Sequence, residues 1–313
     1  MQSERFTDFD EFSASVRGVD SRMMIQNPAR YGWDINAAEV SGIRVQVGRL
    51  GSGNIIEGQS WTDGYLLYLP LSDTCAYSAN GTPIRDGSLM ILEPGSEFCL
   101  STKFEHDWCS IFVPAQIFDR DRDKEDPSFA DDKRICRLTR PDRHVANQFR
   151  ASVLDIMATA ANYPQFESSL ASTIASAGLL KLGSSIVREG AGREPHHAGR
   201  PKAPRREIIR RADELLEERE GEHLSVADLA SASRVSERTL RTAFNECYGI
   251  GPLRYLQLRN LHRVHRALKA AAPEETTVAD TLLQHGEWEL GRFASRYRRQ
   301  FGELPSETLH AQH

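Results

Sequence analysis

Four arginines fall within eight residues near the C-terminus: Arg292, Arg296, Arg298 and Arg299. Phe293, Tyr297 and Phe301 recur four apart in the same run, a spacing that sets apolar side chains on one face of a helix. A guanidinium carries a rigid fork of donors that pairs with phosphate and reads guanine O6 and N7 bidentately. A helix with an aromatic face and an arginine face would pack on one side and meet a polyanion on the other.

A second run upstream has the same design. In VSERTLRTAFNECYG, residues 235–249, Ser236 suits an N-cap, Leu240 and Phe244 would face inward, and Gly249 would end the helix. A short helix precedes each run: LSVADLASAS, capped by Ser225 and burying Val226, Leu229 and Ala230, and TVADTLLQ. The unit of helix, sharp turn and helix thus occurs at 225–248 and again at 277–301. One long amphipathic helix, LRYLQLRNLHRVHRALKAA, would join the two units. In such a unit the second helix enters the major groove and its N-terminal residues reach base edges. The outward positions are Glu237, Arg238, Thr239, Arg241, Thr242 and Asn245 in the first unit. In the second they are Glu289, Leu290, Arg292, Ser295, Arg296 and Arg299.

The elements ahead of these units differ in period. FTDFDEFSASVRGVD (6–20) reads as a short helix capped by Thr7, with Phe9, Phe12 and Val16 on one side. Between 43 and 113, IRVQVGRL, YLLYLPL, SLMILEP, EFCLST and WCSIFVP read as short strands. GSGN, SDT, ANGTP, RDG and PGS would be the turns between them, which points to a sandwich or barrel. A helix follows at 143–161, with Val145, Phe149, Val153, Ile156 and Met157 inward. A second, at 166–189, has Leu170, Ile174, Leu179, Leu182 and Ile186 as its stripe. This pair is expected either to cover the barrel or to form a dimer contact. Residues 190–206, rich in Gly, Pro and Arg, read as a linker, and its His196–His197 pair as solvated. EIIRRADELLEER then begins the helical part, with Ile208, Ile209, Ala212, Leu215 and Leu216 on one face.

Residues 205–310 resemble the two-unit DNA-binding domain of AraC-type (AraC/XylS) transcription regulators. DLA (228–230), VSERTL (235–240), Phe244, Gly249, Pro252, Tyr255, Leu256, Arg259, Leu261 and LGRFASRYRRQFGELPSETL (290–309) carry the likeness. More weakly, the FTDFDEF start, the ANG turn, EPGSEFCLST and HDWCSIFVP resemble the cupin-like sensor domain of that family. The resemblance implies that Arg238, Arg241 and Thr242 read bases in the first unit. In the second, the implied readers are Glu289, Arg292, Ser295 and Arg296. Three departures stand out. Arg234 occupies a turn position that the family often gives to Gly, where a positive φ would cost on the order of 1 kcal/mol. Thr281 and Leu282 stand where Ile and Ala are usual. Glu287 replaces a packing aromatic, which implies a weaker second unit.

GSLMILEPG (87–95) is similar to one cupin motif, yet no histidine precedes Gly87 and His106 stands alone, so neither metal nor cofactor is expected. Arg44, Gln46, Trp61, Tyr68 and Trp108 are candidates to line an effector pocket. Alternation puts Arg44 and Gln46 on one face, and Tyr68 opposite Tyr65 and Leu67. An inward Arg44 would favour an organic acid.

A net charge of −5 excludes a bulk basic binder, so any DNA contact must be local; residues 205–313 carry equal numbers of acidic and basic side chains. Five cysteines without C-x-x-C spacing argue against a disulfide framework or zinc. The polar, acidic start is no signal peptide, and no apolar run nears the roughly 18 residues of a spanning helix.

The resulting expectation is a two-domain α+β protein. Residues 1–189 form a cupin-like β-barrel with a helical pair for ligand sensing and dimerisation, 190–206 a flexible linker, and 207–313 an all-α DNA-binding domain with two helix-turn-helix units. Its function is expected to be transcription regulation, as an activator under small-molecule control, not enzymatic. Expected partners are promoter DNA, the effector, RNA polymerase and a second copy, in the cytoplasm and without a membrane. The alternatives are a degenerate sensor under a protein partner, or a cupin-type enzyme.

Overall fold

The computed structural model of the chain describes residues 1–72, 77–84, 87–118, 136–191, 205–219 and 222–311. The N-terminal half is a ten-stranded antiparallel sheet curled into a nearly closed barrel. Its strands are β1 (Gln2–Phe6), β2 (Val19–Val40), β3 (Ile43–Ser60), β4 (Gly64–Pro70), β5 (Tyr77–Ala79), β6 (Thr82–Ile84), β7 (Leu89–Leu92), β8 (Glu97–Thr102), β9 (His106–Pro114) and β10 (Cys136–Thr139). They run in the order β10-β7-β4-β9-β3-β8-β5-β6, with β2 paired to β3 and β1 to β2.

Strand alternation sorts the side chains into two cores. In β4, Leu66 and Tyr68 enter the barrel while Tyr65, Leu67 and Leu69 face outward; β7 and β9 divide in the same way. The interior core is plugged by Phe9 and Phe12 of α1 (Phe9–Ser15). The outer core is covered by α3 (Arg143–Asn162) and α4 (Leu170–Ala191), through Phe149, Val153, Ile156, Leu179 and Ile186. A one-turn helix, α2 (Ala115–Phe118), follows β9.

Several expected boundaries move. Asp8, not Thr7, caps α1, accepting from the backbone N–H of Asp10 and Glu11. β1 and the 22-residue β2 occupy segments without alternating pattern. Pro28 survives in β2 because the register with β3 is irregular there, so its missing N–H breaks no ladder bond. GSGN is not a turn but part of β3. Gly53 lies so close to Lys103 that a Cβ would sit 2.4 Å from that carbonyl, and this close approach of two strands is what the glycine serves. The ANG segment is the expected tight turn, with Asn80 at φ 49° and Gly81 at φ 78° between β5 and β6. Asp73 and Thr74 of SDT, Arg85 and Asp86 of RDG, and 192–204 of the linker with its histidine pair lie outside the described residues. α4 begins at Leu170, and its stripe divides: Leu179 and Ile186 are buried, whereas Leu170 and Ile174 are exposed.

The helical half runs through α5 (Arg205–Glu218), α6 (Val226–Ala232), α7 (Glu237–Tyr248), α8 (Pro252–Ala270), α9 (Val278–Gln284), α10 (Leu290–Phe301) and α11 (Pro305–His310). One core joins α5 to α8 and takes in Met24 and Ile55 of the barrel. Another gathers Leu261, Val264 and Leu268 of α8 with Leu282, Phe293, Tyr297 and Leu309. No helix among the described residues is long and apolar enough to cross a membrane.

Candidate nucleic-acid interface and the pocket behind it

The first unit is α6, a turn and α7. Ser225 and Asp228 form a reciprocal capping box at α6. The turn passes through Arg234 at φ 54°, the strained conformation expected of that departure, and the Val235 N–H reaches back to the Ala230 carbonyl at 3.0 Å. Ser236 then caps α7 by accepting from the Thr239 N–H. Leu240, Ala243 and Phe244 are fully buried, which turns Glu237, Arg238, Thr239, Arg241, Thr242 and Asn245 into solvent. Thr242 and Asn245 donate to carbonyls one turn back, of Arg238 and Arg241. Arg238 and Arg241 have no ion-pair partner among the described residues, so this helix presents two unneutralised forks.

The second unit is α9, a turn at Gly286 (φ 73°) and α10. Phe293 and Tyr297 are fully buried; the Tyr297 hydroxyl is 2.6 Å from His265 Nδ1 and 2.7 Å from Thr308 Oγ1. Glu289, Arg292, Ser295 and Arg299 are exposed, with Glu289 paired to Arg292 at 2.8 Å. Arg296 differs. Glu287 holds it at 2.8 Å and also accepts from Asn260 Nδ2 at 2.8 Å. The Glu287 charge is therefore neutralised within the protein. Glu287 replaces the aromatic packing contact with a polar clamp between α8, the turn and α10, and Arg296 is half-buried by it. Two residues escaped the sequence reading. Arg254, on the first turn of α8, is held below the ordinary arginine range by desolvation and then by the charges of Arg296 and Arg299, so three cations converge. Trp288, just ahead of α10, is 77% exposed. Its signal was an aromatic outside the Phe293–Tyr297–Phe301 spacing.

α8 separates the units; its 19 residues rise roughly 28 Å at helical pitch, near the 34 Å repeat of the major groove. The barrel touches the far end of both outward helices. The Tyr248 carbonyl ending α7 accepts from Gln26 Nε2 at 2.9 Å and Ser101 Oγ at 2.7 Å, which satisfies one of the orphan carbonyls of that helix end. Gln300, at the end of α10, donates to the Ile25 carbonyl, and the Ile25 N–H donates to His262 Nε2 at 3.0 Å. Beside these contacts, the Tyr255 hydroxyl lies 2.9 Å from Glu57 Oε2 and 3.1 Å from Asp213 Oδ1. Tyr248 bonds the same two carboxyls, and Arg22 pairs with Glu57 at 3.1 Å. Burial and then the neighbouring Glu57 charge raise the Asp213 carboxyl above its usual range.

The five pocket candidates do not converge. Tyr68 and Trp108 stack inside the barrel, 6.4 Å apart, beside a cavity of about 40 Å³ with Phe12, Arg17 and Met90. The Tyr68 hydroxyl and Trp108 Nε1 have no hydrogen-bond partner among the described residues. Gln46 is buried but occupied: it accepts from the Arg17 N–H at 2.8 Å and donates to the Ser15 carbonyl at 3.2 Å, fastening the end of α1. Trp61 is partly buried, donates to Asp20 and meets Phe112 edge-on. Arg44 does not point inward; it pairs with Glu39 along an open cleft of about 470 Å³. The arginine beside the interior cavity is Arg17. His106 is buried against the Phe104 carbonyl and the Tyr77 ring, its pKa lowered to about 4 by burial. Among the described residues no three His, Cys, Asp or Glu side chains group to hold a metal ion.

Known proteins resemble this chain in sequence. Residues 229–311 match a helix-turn-helix domain family. The XylDLEGF operon transcriptional activator of Pseudomonas putida is 26% identical over 253 residues, 78% of this chain and 74% of its own length. A second such activator, from the same organism, is 35% identical over 99 residues, 32% of this chain and 63% of its length. The probable thc operon regulatory protein of Rhodococcus erythropolis is 33% identical over 109 residues, 35% of this chain and 33% of its length. Among solved structures, the AraC-like transcriptional activator CuxR aligns with 90% of this chain and 99% of its own, at 13% identity and TM-score 0.45. ToxT of Vibrio cholerae aligns with 94% and 98%, at 11% identity and TM-score 0.29. The capped double unit, its outward arginines and these operon-regulator relatives agree on one assignment: residues 229–311 are a helix-turn-helix domain, and 78% of the chain is similar to an operon transcriptional activator.

Proposed function

We propose that the chain is a one-component activator in which a small molecule bound inside the barrel resets two DNA-reading helices. One observation carries the reading: the ends of both α7 and α10 are hydrogen-bonded to the barrel, through Tyr248 and Gln300. A change in barrel shape therefore has a direct path to both readers. The effector class best matched to the interior is a small organic acid with an apolar body. Tyr68 and Trp108 offer unused donors, and Arg17, its guanidinium donating to the Ala14 carbonyl, is the one cation on the cavity lining among the described residues. The cavity is far below the roughly 300 Å³ of an open ligand site, so binding requires α1, which contributes Phe12, to shift.

In this reading Arg238, Thr239, Arg241, Thr242 and Asn245 of α7, with Glu289, Arg292, Ser295 and Arg299 of the second unit, face promoter DNA. Arg296 acts first as the partner of Glu287. The functional division is 1–189 for sensing and dimerisation, 190–206 as linker and 207–313 for DNA, with helix edges at Ala191 and Arg205. Exposed Leu154, Tyr163, Leu170 and Ile174 on and between α3 and α4 support a homodimer contact. Activation would involve RNA polymerase, in the cytoplasm.

A thermal-shift screen of the full chain against aromatic acids, aliphatic acids, amines and amino acids tests the sensor. Ligand at 100 times its dissociation constant adds about 2.7 kcal/mol of stability. A shift confined to acids supports the reading. No shift from any class would favour a degenerate sensor governed by a protein partner.

A further inference from the structure

The leading end of α10 carries features that the protein's own fold does not use. Trp288 is 77% exposed, more than any other large apolar side chain among the described residues, and Leu290 beside it is 37% exposed. Gly291 follows in the first turn. Nothing lies within 4 Å of where its Cβ would be, so no packing inside the chain calls for a glycine. A glycine in a helix costs about 1 kcal/mol relative to alanine. An exposed indole and an unforced glycine therefore sit side by side at one helix end. Arg292, 79% exposed, projects from the same turn, and Arg254, Arg296 and Arg299 converge farther along.

Chemistry narrows what would cover this patch. An indole offers one N–H, no acceptor and a broad apolar face. In the major groove the apolar feature is the thymine C5-methyl. A partner protein could also take an exposed tryptophan, but this one is continuous with Glu289 and Arg292, at the end of the helix that points into the groove. We propose that Trp288 is an operator contact whose indole packs against thymine methyl groups in the groove entered by α10, while Gly291 leaves room for the DNA backbone to approach. The second unit then reads its half-site through apolar contact as well as through Arg292. This inference rests on α10 being a reading helix.

The test uses the full chain and a duplex enriched from a pool randomised over about three helical turns. Each thymine of the enriched duplex is replaced in turn by deoxyuridine, which lacks only the methyl group. Trp288→Ala is expected to lower affinity roughly tenfold, and Trp288→Phe to restore most of it. One or two deoxyuridine positions in a single half-site should cost the wild type roughly fourfold each and cost Trp288→Ala nothing. An unchanged thermal midpoint for both variants is expected from the exposure of the residue. The proposal falls if Trp288→Ala binds as tightly as wild type while Arg292→Ala does not; α10 would then read DNA without the indole. If neither substitution weakens binding, the reading of α10 falls with it. Normal DNA binding with lost activation in a purified transcription assay would place Trp288 against polymerase and also overturn the proposal.

Discussion

Asp213→Asn should make the protein more stable relative to wild type as the pH rises from 5 to 7. Glu57 and Asp213 share two phenolic hydrogens, from Tyr248 and Tyr255, and of these two carboxyls Arg22 bonds Glu57. Two unprotonated carboxylates would repel each other across a desolvated junction. Burial first, then the Glu57 charge, raises the Asp213 pKa, with Arg22, Arg259 and the Tyr255 hydroxyl opposing. Above the ordinary carboxylate range the unfolded chain has lost this proton and the folded chain keeps it. Stability is thus present below the unfolded pKa of 3.8 and is lost as the pH rises toward the higher folded value. One proton gives a slope of about 1.4 kcal/mol per pH unit, so the two-unit span sums to at most about 2.7 kcal/mol. Asparagine keeps the shape and cannot titrate. Urea unfolding of both proteins at pH 5, 6 and 7 measures the difference directly, and titrations elsewhere cancel. Parallel curves for the two proteins would refute the shared-proton account.

The buried histidines act with the opposite sign. Burial lowers His262 to about 3 and His106 to about 4, so stability is lost as the pH falls below the unfolded value of 6.5; His262→Gln should flatten the acid limb of unfolding curves, and an unchanged limb would count against it. Arg234→Gly should stabilise by up to about 1 kcal/mol by relieving the φ 54° turn, read as a higher melting midpoint; a lower one would show that the side chain contributes more than the strain costs. Arg292→Ala should weaken operator binding by about 1–3 kcal/mol and relax sequence preference at one position, checked by quantitative footprinting. Arg296→Ala should lower thermal stability more than it lowers operator affinity, since Glu287 loses its cation and keeps only the Asn260 amide; a loss of affinity alone would restore Arg296 as a primary reader.

The helical half was readable because its signals are local. Ser225, Ser236 and Gly249 state their roles within four residues of where they act, and the Phe293–Tyr297 spacing declares its face without reference to the rest of the chain. The barrel was readable only where alternation was clean. β2 escaped because Asn27 and Pro28 are tolerated by an irregularity in its pairing with β3, and that partner begins beyond the end of β2. GSGN misled because glycine permits a tight turn and a close strand approach equally, and only Lys103, fifty residues on, decides between them. The stripe from Leu170 to Ile186 merged two faces because helical spacing alone does not show where the neighbouring α3 stops. Glu287 was visible as a departure, but its partners Asn260 and Arg296 lie on two other helices. Arg17 was not foreseen on the cavity lining, since Gln46, which holds the Arg17 backbone N–H there, does so by hydrogen bonds between distant segments.

The bonds at Ile25 bear on how such a protein can be recombined. β1 covers the free edge of β2 only from Trp33 to Ala37, so the edge ahead of it is covered by the helical half instead: one residue gives its N–H to α8 and its carbonyl to α10. The two halves therefore do not exchange as independent cassettes. A chimera joined within the 190–206 segment would pair a foreign barrel edge with His262 and Gln300, and would leave open backbone groups on one side and orphaned side chains on the other. Grafts that carry residues 24–26 along with the helical half keep the matched surfaces together, and they are the ones that should fold and respond.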